Sequence, residues 1–485
     1  MSLRQFTIGS ITMGSVGFLR MLTQLFIVPA LARYLSPADY GIVAIAMPFI
    51  LFGMMFSDAG MSASLIRTTS KNVVEWSTSF WLTFILGLAL SLILVTMGYA
   101  ISLFLAEPKL FPIIAALSTI IFLQSIATVP GASLQQHHKF TTLAGIEIAA
   151  MFTSLAGTYI AATHGWGAWS LVVQQIVHYT VKLVLTLILS PFRPGLVFQI
   201  RQIVDHLTFG RDMIGNGFIG FMRQCLINML TGKILGTSAV GLYTMANLFA
   251  DLPNRLVSGP IQSVAYPRIS RLKHDHAAIR KIFLFLSRII ALLIIPIMGL
   301  LAVAHHSVFL ILLSAKWQQA GYIFLLLAPG ATALTLAAMR NTVAMSLGRT
   351  DIILRQSWEY SILIIMAMLC SVYFGIETLV ASISAITVLY MPRALLQVFR
   401  LINLPMRDFL AVCAPPFVTT IGAIAGYIIV TESLSLTDWE SFSIAFFLGL
   451  LSLASAFLFQ FDSIRRDIEY LKERFEEQSP ATATI

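Results

Sequence analysis

The sequence predicts an all-α integral membrane protein of about 14 transmembrane helices, built as two related six-helix lobes with two further helices behind them. Three observations lead there. The 485 residues are 58% hydrophobic and only 11% charged, more apolar surface than a water-soluble core can hide. The apolar residues gather in runs of roughly 20, the length at which a helix crosses a bilayer. One stretch is also written twice. Shifted by 200 positions without a gap, Met13, Gly17, Phe18, Gln24, Ile27, Leu35, Gly41, Ala46 and Phe49 fall on Met213, Gly217, Phe218, Gln224, Ile227, Leu235, Gly241, Ala246 and Phe249. A repeat of this extent implies two structurally related lobes. Two lobes of membrane helices around a shared site are a common architecture of alternating-access transporters.

In chain order the spans are expected at 8–32, 40–66, 77–105, 110–134, 141–163, 166–190, 209–232, 239–264, 281–304, 319–346, 352–375, 377–401, 409–431 and 440–461. With the N-terminus inside, one side of the membrane collects Arg4, Arg67, Lys71, Lys139, Arg193, Arg201, Arg211, the cluster Arg268 to Lys281, Arg349, Arg355, Arg400 and Arg407. The other side holds only Arg33, Lys109, Lys233 and Lys316. That asymmetry puts both termini in the cytoplasm. Residues 1–195 form the first lobe, 196–407 the second, 408–461 the two extra helices and 462–485 a cytoplasmic tail. Pro191-Phe-Arg-Pro194 and a polar stretch, Gln199 to His206, join the lobes, and Val308 to Trp317 is too short to span. In the tail, Ile464, Ile468, Leu471 and Phe475 recur at helical spacing among charges, as in an amphipathic helix lying on the interface.

The net charge of +9 is spread over short loops rather than gathered in a patch, which argues against nucleic acid as a partner. Cys225, Cys370 and Cys413 are isolated and give neither a disulfide framework nor metal spacing. The polar start runs directly into an apolar helix, without the pattern of a cleaved signal peptide. There is no phosphate-cradling glycine motif and no nucleophile elbow, so neither an enzyme nor a nucleotide-driven pump is expected, and no cofactor.

A charge at bilayer depth costs about 2.5–3.5 kcal/mol even on the most forgiving scale, so it should face a partner or water. The spans contain Arg20, Lys182, Arg223, Arg255, Arg288, Arg340 and Arg393 against Asp58, Glu147, Asp251 and Glu359. Lys182 and Arg288 can snorkel on their long stems. The remaining excess is positive and suits an anionic ligand. In the eighth span Asn247, Asp251, Asn254, Arg255, Ser258 and Gln262 fall at steps of three and four, hence on one helical face. Two readings stand: Asp251 and Arg255 neutralise each other as a structural pair, or the stripe lines an aqueous cavity, with Pro253 and Pro260 bending the span. Arg20 and Gln24 share a face of the first span, and Asn216, Arg223, Gln224 and Asn228 mark the seventh. If the lobes face each other, Arg20 and Arg223 point into one cleft, where planar guanidinium forks suit a phosphate. Asp58, Glu147 and Glu359 are the candidates for coupling a proton or a sodium ion, with an ordinary partnered carboxylate as the alternative at each.

Several runs resemble a known family. Ala32-Arg-Tyr-Leu-Ser-Pro-Ala-Asp-Tyr-Gly-Ile42 and Phe56-Ser-Asp-Ala-Gly-Met-Ser-Ala-Ser-Leu-Ile-Arg67 resemble the opening of Wzx-type polysaccharide flippases. Leu235-Gly-Thr-Ser-Ala-Val-Gly-Leu-Tyr243, Ala265-Tyr-Pro-Arg-Ile-Ser-Arg271 and Leu313-Ser-Ala-Lys-Trp317 are similar to its second-lobe landmarks, and the likeness, covering roughly residues 5–460, is nearest the colanic-acid-exporter type. The resemblance implies the V-shaped fold of the multidrug/oligosaccharidyl-lipid/polysaccharide exporters, with a cationic cavity between two bundles. It also implies an undecaprenyl-pyrophosphate-linked oligosaccharide as cargo, moved across the bacterial inner membrane for exopolysaccharide or lipopolysaccharide synthesis and passed to periplasmic polymerisation machinery. The extra two spans resemble those that hold the polyprenyl tail in the lipid II flippase branch. On this reading Arg20, Arg223 and Arg255, then Arg340 and Arg393, grip the pyrophosphate, while Asn247, Asn254, Ser258 and Gln262 serve sugar hydroxyls. The rivals are a drug/cation antiporter of the same fold, a lipid II flippase, and a non-transporting membrane scaffold.

Overall fold

The computed structural model describes residues 17, 19, 23, 26–67, 72–434 and 436–477, with the backbone alone at 202, 204–216 and 471–477. Arg20 and Gln24 therefore lie outside the described residues, as do the side chain of Asn216 and the end of the tail from Gln478. Among the described residues all regular structure is helical.

The helices are α1 (Pro37–Asp58), α2 (Met61–Arg67), α3 (Val73–Leu105), α4 (Leu110–Gln136), α5 (Phe140–Thr163), α6 (Ala168–Leu189), α7 (Val204–Leu235), α8 (Thr237–Pro253), α9 (Gly259–Arg271), α10 (His276–Val303), α11 (His305–Leu312), α12 (Gln318–Leu336), α13 (Met339–Ser346), α14 (Thr350–Ser371), α15 (Ile376–Phe399), α16 (Met406–Ser433) and α17 (Asp438–Glu477). They cover every span expected from residue 40 onward. Eleven helical segments among the described residues are long and apolar enough to cross a membrane, so this is a multi-pass membrane protein. The seventh and eighth expected spans, α7 and α8–α9, are not among the eleven. Their polar residues, Arg223, Gln224, Asn228 and Lys233 in one and Asn247 to Gln262 in the other, dilute the apolar runs. The chain divides spatially into two compact units, Met1–Thr244 and Met245–Ile485, the boundary falling inside α8.

In the first unit α4 packs on α3, α1 and α6 around a core that includes Ile45, Ile50, Leu110, Ile114, Leu117 and Ile121. Small residues let these backbones approach: a Cβ at Gly87 would overlap the Ser125 hydroxyl across the α3–α4 contact. The turn before α1 explains its sequence. Ser36 caps the helix with its hydroxyl accepting from Asp39 N at 3.3 Å, and Ser36 N donates back to Asp39 Oδ2 at 2.9 Å, a reciprocal capping box with Pro37 in the first turn. The other oxygen, Asp39 Oδ1, accepts from Ala168 N at 3.0 Å and so fixes the start of α6. The two copies of the repeat touch at their glycines. A Cβ at Gly41 would overlap the Thr237 carbonyl oxygen, and one at Gly241 would overlap that of Pro37.

The segment between α6 and α7 is pinned to α3: Trp81 Nε1 donates to Gly195 O at 2.8 Å, Gly195 N to Ser77 Oγ at 3.0 Å and Gln199 N to Thr78 Oγ1 at 3.1 Å. The expected linker from Gln199 to His206 is a short 3-10 turn, Ile200–Ile203, that runs directly into α7. α7 packs on α1 in this unit, through Phe52 stacked on Phe221 at 4.3 Å and Asn228 Nδ2 donating to Ala44 O at 2.7 Å.

In the second unit α10 is the hub, packing on α16, α12 and α17, while α12 lies along α15. Phe283, Phe399 and Phe409 meet edge-on and tilted, with Phe283–Phe399 centroids 5.2 Å apart. The segment too short to span folds as α11 followed by a 3-10 turn whose Trp317 is fully buried. The tail does not begin a new helix on the interface. Residues 462–477 continue α17 without a break, and the 40-residue helix is about 60 Å long. Its continuation docks on α10: Asp467 pairs with Arg288 at 2.9 Å, and Lys281 lies 3.4 Å over the Tyr470 ring.

Candidate functional site

Each unit holds polar groups within its apolar helices, and they fall into distinct assemblies. In the first unit, Glu147 on α5 faces α6, 3.4 Å from Lys182 Nζ and 3.6 Å from His178 Nε2. Lys182 is thus directed at a carboxylate rather than snorkelling away. Beside this group is a cavity of about 130 Å³ lined in part by Thr23, Ser154, Gln174 and Gln175. Asp58 has a local task. Ala59 adopts the left-handed conformation that breaks α1, and the Asp58 carboxylate accepts from Ser62 N at 3.2 Å and Ser62 Oγ at 3.1 Å, capping α2. Arg223 is partly buried on α7. Its neighbour Gln224 donates to Asn228 at 3.0 Å, and Asn228 in turn donates to Ala44 O, holding α7 to α1.

In the second unit the polar stripe of the eighth span is broken in two by its prolines. Pro253 has no N–H for the Phe249 carbonyl and Pro260 none for Leu256, and between them Asn254–Ser258 form a π turn in which Gly259 N donates to Asn254 O. Such a turn adds a residue to the helical repeat, so the steps of three and four do not carry one face from Asn247 to Gln262. Asp251 Oδ2 accepts from Arg255 Nε at 2.6 Å and Asp251 Oδ1 from Asn254 Nδ2 at 3.3 Å. Asn247 is exposed, the Arg255 side chain is 53% exposed, and Ser258 is buried with its hydroxyl lacking a hydrogen-bond partner. Past the π turn, Gln262 Oε1 accepts from Thr342 Oγ1 at 3.4 Å, joining α9 to α13.

Arg340 lies one turn before the last turn of α13 and is partly buried. Its contacts are neutral: Nε donates to Gln356 Oε1 at 3.2 Å and Nη1 approaches Met391 Sδ at 3.1 Å. Gln356 in turn donates to Gln397 Oε1 at 2.9 Å and to Ala394 O at 3.0 Å. A turn along α14, Glu359 is held on three sides. Oε1 accepts from Arg355 Nε at 2.9 Å and Arg393 Nη2 at 3.4 Å, and Oε2 accepts from Tyr390 Oη at 3.3 Å. The structure thus brings Arg340, Glu359 and Arg393 together at the α13–α14–α15 junction. Sequence reasoning missed the groups that join them: Gln356 on α14, and Tyr390 and Gln397 on α15. Two of them left a signal that could have been read: Gln356 lies three places before Glu359, and Gln397 interrupts the apolar run Ala394 to Phe399 four places after Arg393.

Comparison with known proteins agrees with this architecture. The family model of the polysaccharide biosynthesis proteins matches residues 30–321. The succinoglycan biosynthesis transport protein ExoT of Rhizobium meliloti is 28% identical over 62% of this chain and 61% of its own length. The lipopolysaccharide biosynthesis protein WzxC of Escherichia coli is 25% identical over 60% and 59% respectively, so the match spans about three-fifths of these relatives. Among solved structures, the lipid II flippase MurJ in an inward closed conformation superposes with a TM-score of 0.76 at 15% identity, covering 94% of this chain and 100% of that one. An inward-facing multidrug resistance MATE family transporter gives a TM-score of 0.62 at 13% identity, over 78% and 94% of the two chains. The fold is the one shared by those flippases and transporters, and the chain belongs to the polysaccharide biosynthesis protein family.

Proposed function

We propose that this protein flips undecaprenyl-pyrophosphate-linked oligosaccharide repeat units across the bacterial inner membrane, from the cytoplasmic to the periplasmic leaflet, with both of its termini cytoplasmic. The observation that carries the reading is Arg340. A guanidinium inside the helical bundle whose hydrogen-bond partners among the described residues, Gln356 and Met391, are neutral keeps its charge and most of its N–H donors for an anionic ligand. The carboxylates of the same region do not have that freedom: Asp251 is engaged by Arg255, and Glu359 by Arg355 and Arg393. A cavity for cationic drugs would need the reverse balance. The family, and relatives named for succinoglycan transport and lipopolysaccharide biosynthesis, support a polysaccharide precursor as cargo.

In this reading Arg20, Arg223, Arg255, Arg340 and Arg393 take the pyrophosphate as the two lobes rock about it. Gln24, Asn247, Asp251, Asn254, Ser258 and Gln262 serve sugar hydroxyls, and the polyprenyl tail runs in lipid along α16 and α17. Glu147, with His178 beside its cavity, is the carboxylate we assign to proton or sodium coupling, ahead of Asp58 and Glu359. The fold likeness to MurJ favours lipid II as the second reading. One experiment addresses both. In cells lacking the protein, the intact chain, Arg20→Gln with Arg223→Gln, and Arg340→Gln are each restored, and lipid-linked intermediates are assayed by leaflet. The expected result is oligosaccharide-lipid held on the cytoplasmic face in the null and in both variants, and cleared by the intact chain. A leaflet distribution that never changes would sink the proposal, and accumulation of lipid II instead would transfer it to the second reading.

A further inference from the structure

At the paired ends of α14 and α15 four arginines line one open cleft of about 600 Å³: Arg349, Arg355, Arg393 and Arg400. Their charges are only partly cancelled. Arg349 is spent on Asp351 in a two-pronged pair, both contacts 2.9 Å. Arg355 and Arg393 share the single oxygen Glu359 Oε1, so most of their N–H groups are left over. Arg400 is exposed and has no carboxylate partner among the described residues. Four guanidiniums against two carboxylates leave a surplus of two positive charges, the complement of a phosphate group.

The place and the wall add to the chemistry. Arg349 and Arg400 flank the ends of two membrane-spanning helices, Thr350–Phe374 and Ile376–Phe399, and Arg393 lies about 9 Å along the second from its end. The cleft therefore occupies the level where headgroups sit outside the hydrocarbon. Leu396, 40% exposed, gives it an apolar wall beside the charges, and Gln397 adds a neutral amide. We infer that this cleft binds the phosphate of a membrane lipid, its charges on the phosphate oxygens and Leu396 against the first methylenes. Two lipids carry that chemistry, an anionic phospholipid and a polyprenyl phosphate. Arg393 is shared with the proposed cargo site, but Arg349, Arg355 and Arg400 are not, and a protein that transported nothing would still present this cleft.

Native mass spectrometry of the purified full-length protein, titrated separately with phosphatidylglycerol, undecaprenyl phosphate and zwitterionic phosphatidylcholine, tests it. At least one of the two anionic lipids should bind about tenfold more tightly than phosphatidylcholine, and soluble pyrophosphate should compete. Equal binding of both identifies a phospholipid headgroup site, and preference for undecaprenyl phosphate identifies a carrier-lipid site. Arg349→Gln with Arg400→Gln should lower the anionic affinity roughly tenfold, since each surface arginine is worth up to about fivefold. Arg400→Gln alone breaks no ion pair and keeps the test available if the double variant does not fold. No preference for anionic lipid in the intact protein, or a preference that both variants retain in full, would overturn the inference.

Discussion

Arg288 and Arg340 are both arginines of the second unit within helices apolar enough to cross the membrane, yet they meet opposite surroundings. Arg288 on α10, its side chain 13% exposed, faces Asp467 of α17 at 2.9 Å. Arg340 on α13 faces an amide and a thioether. A buried cation with a carboxylate is a clasp, and breaking it strands the partner's charge. A buried cation among neutral groups has charge left to give, and the protein bears the desolvation cost for a reason other than holding helices together. Lying within a membrane-length helix does not separate the two cases. The charge of the partner does. Arg255 stands between them, paired with Asp251 on its own helix but largely exposed.

The contrast is sharpest in activity. Arg340→Gln should reduce flipping between about tenfold and a hundredfold, the worth of one charged contact to a ligand at roughly 1.5–3 kcal/mol, while thermal stability in detergent moves by less than about 1 kcal/mol. A large stability loss with flipping intact would make Arg340 a clasp after all. Arg288→Gln should do the reverse. It should cost about 1–3 kcal/mol, below the roughly 3–5 of a fully buried pair because both groups keep some exposure. Adding Asp467→Asn should recover at least half of that, by removing the stranded carboxylate, and a double-mutant cycle on thermal unfolding measures the coupling.

Gln356→Leu tests whether the neutral partner matters. It removes the acceptor for Arg340 and the donor to Ala394 O, at about 1–2 kcal/mol in unfolding, and flipping should fall with it because Arg340 is no longer held. The smallest effect on unfolding belongs to Arg255→Gln. An exposed pair one turn apart contributes no more than about 0.5 kcal/mol, so its unfolding should match the parent; a marked loss would show that the Asp251–Arg255 pair is a clasp as well.

The spans were legible because hydropathy over about 20 residues is a property of one helix. Thirteen of the expected spans have helices at their positions, from α1 to α17. The turn Ser36 to Gly41 was legible as a turn. That Asp39 also fixes the start of α6, and that Gly41 meets Thr237 of the second copy, was not, because both contacts join residues more than a hundred positions apart. The stripe from Asn247 to Gln262 was read with a constant helical period, which two prolines and a π turn do not keep. Arg355 was read as a loop charge, yet it lies on α14 one turn before Glu359 and pairs with it.

From its own residues the chain determines that it lives in lipid, where its helices run, that one stretch recurs 200 positions on, and which charged side chains lie within apolar runs. Each follows from composition or from periodicity within one segment. Apart from pairs one turn apart on a single helix, such as Asp251 with Arg255, the partners of those charges were decided by tertiary structure. Arg288 and Asp467 are brought together by α10 packing on α17, and Arg340 and Gln356 by α13 meeting α14. Whether a buried charge is neutralised depends on distances of about 3 Å between helices, and no period within a single helix encodes those.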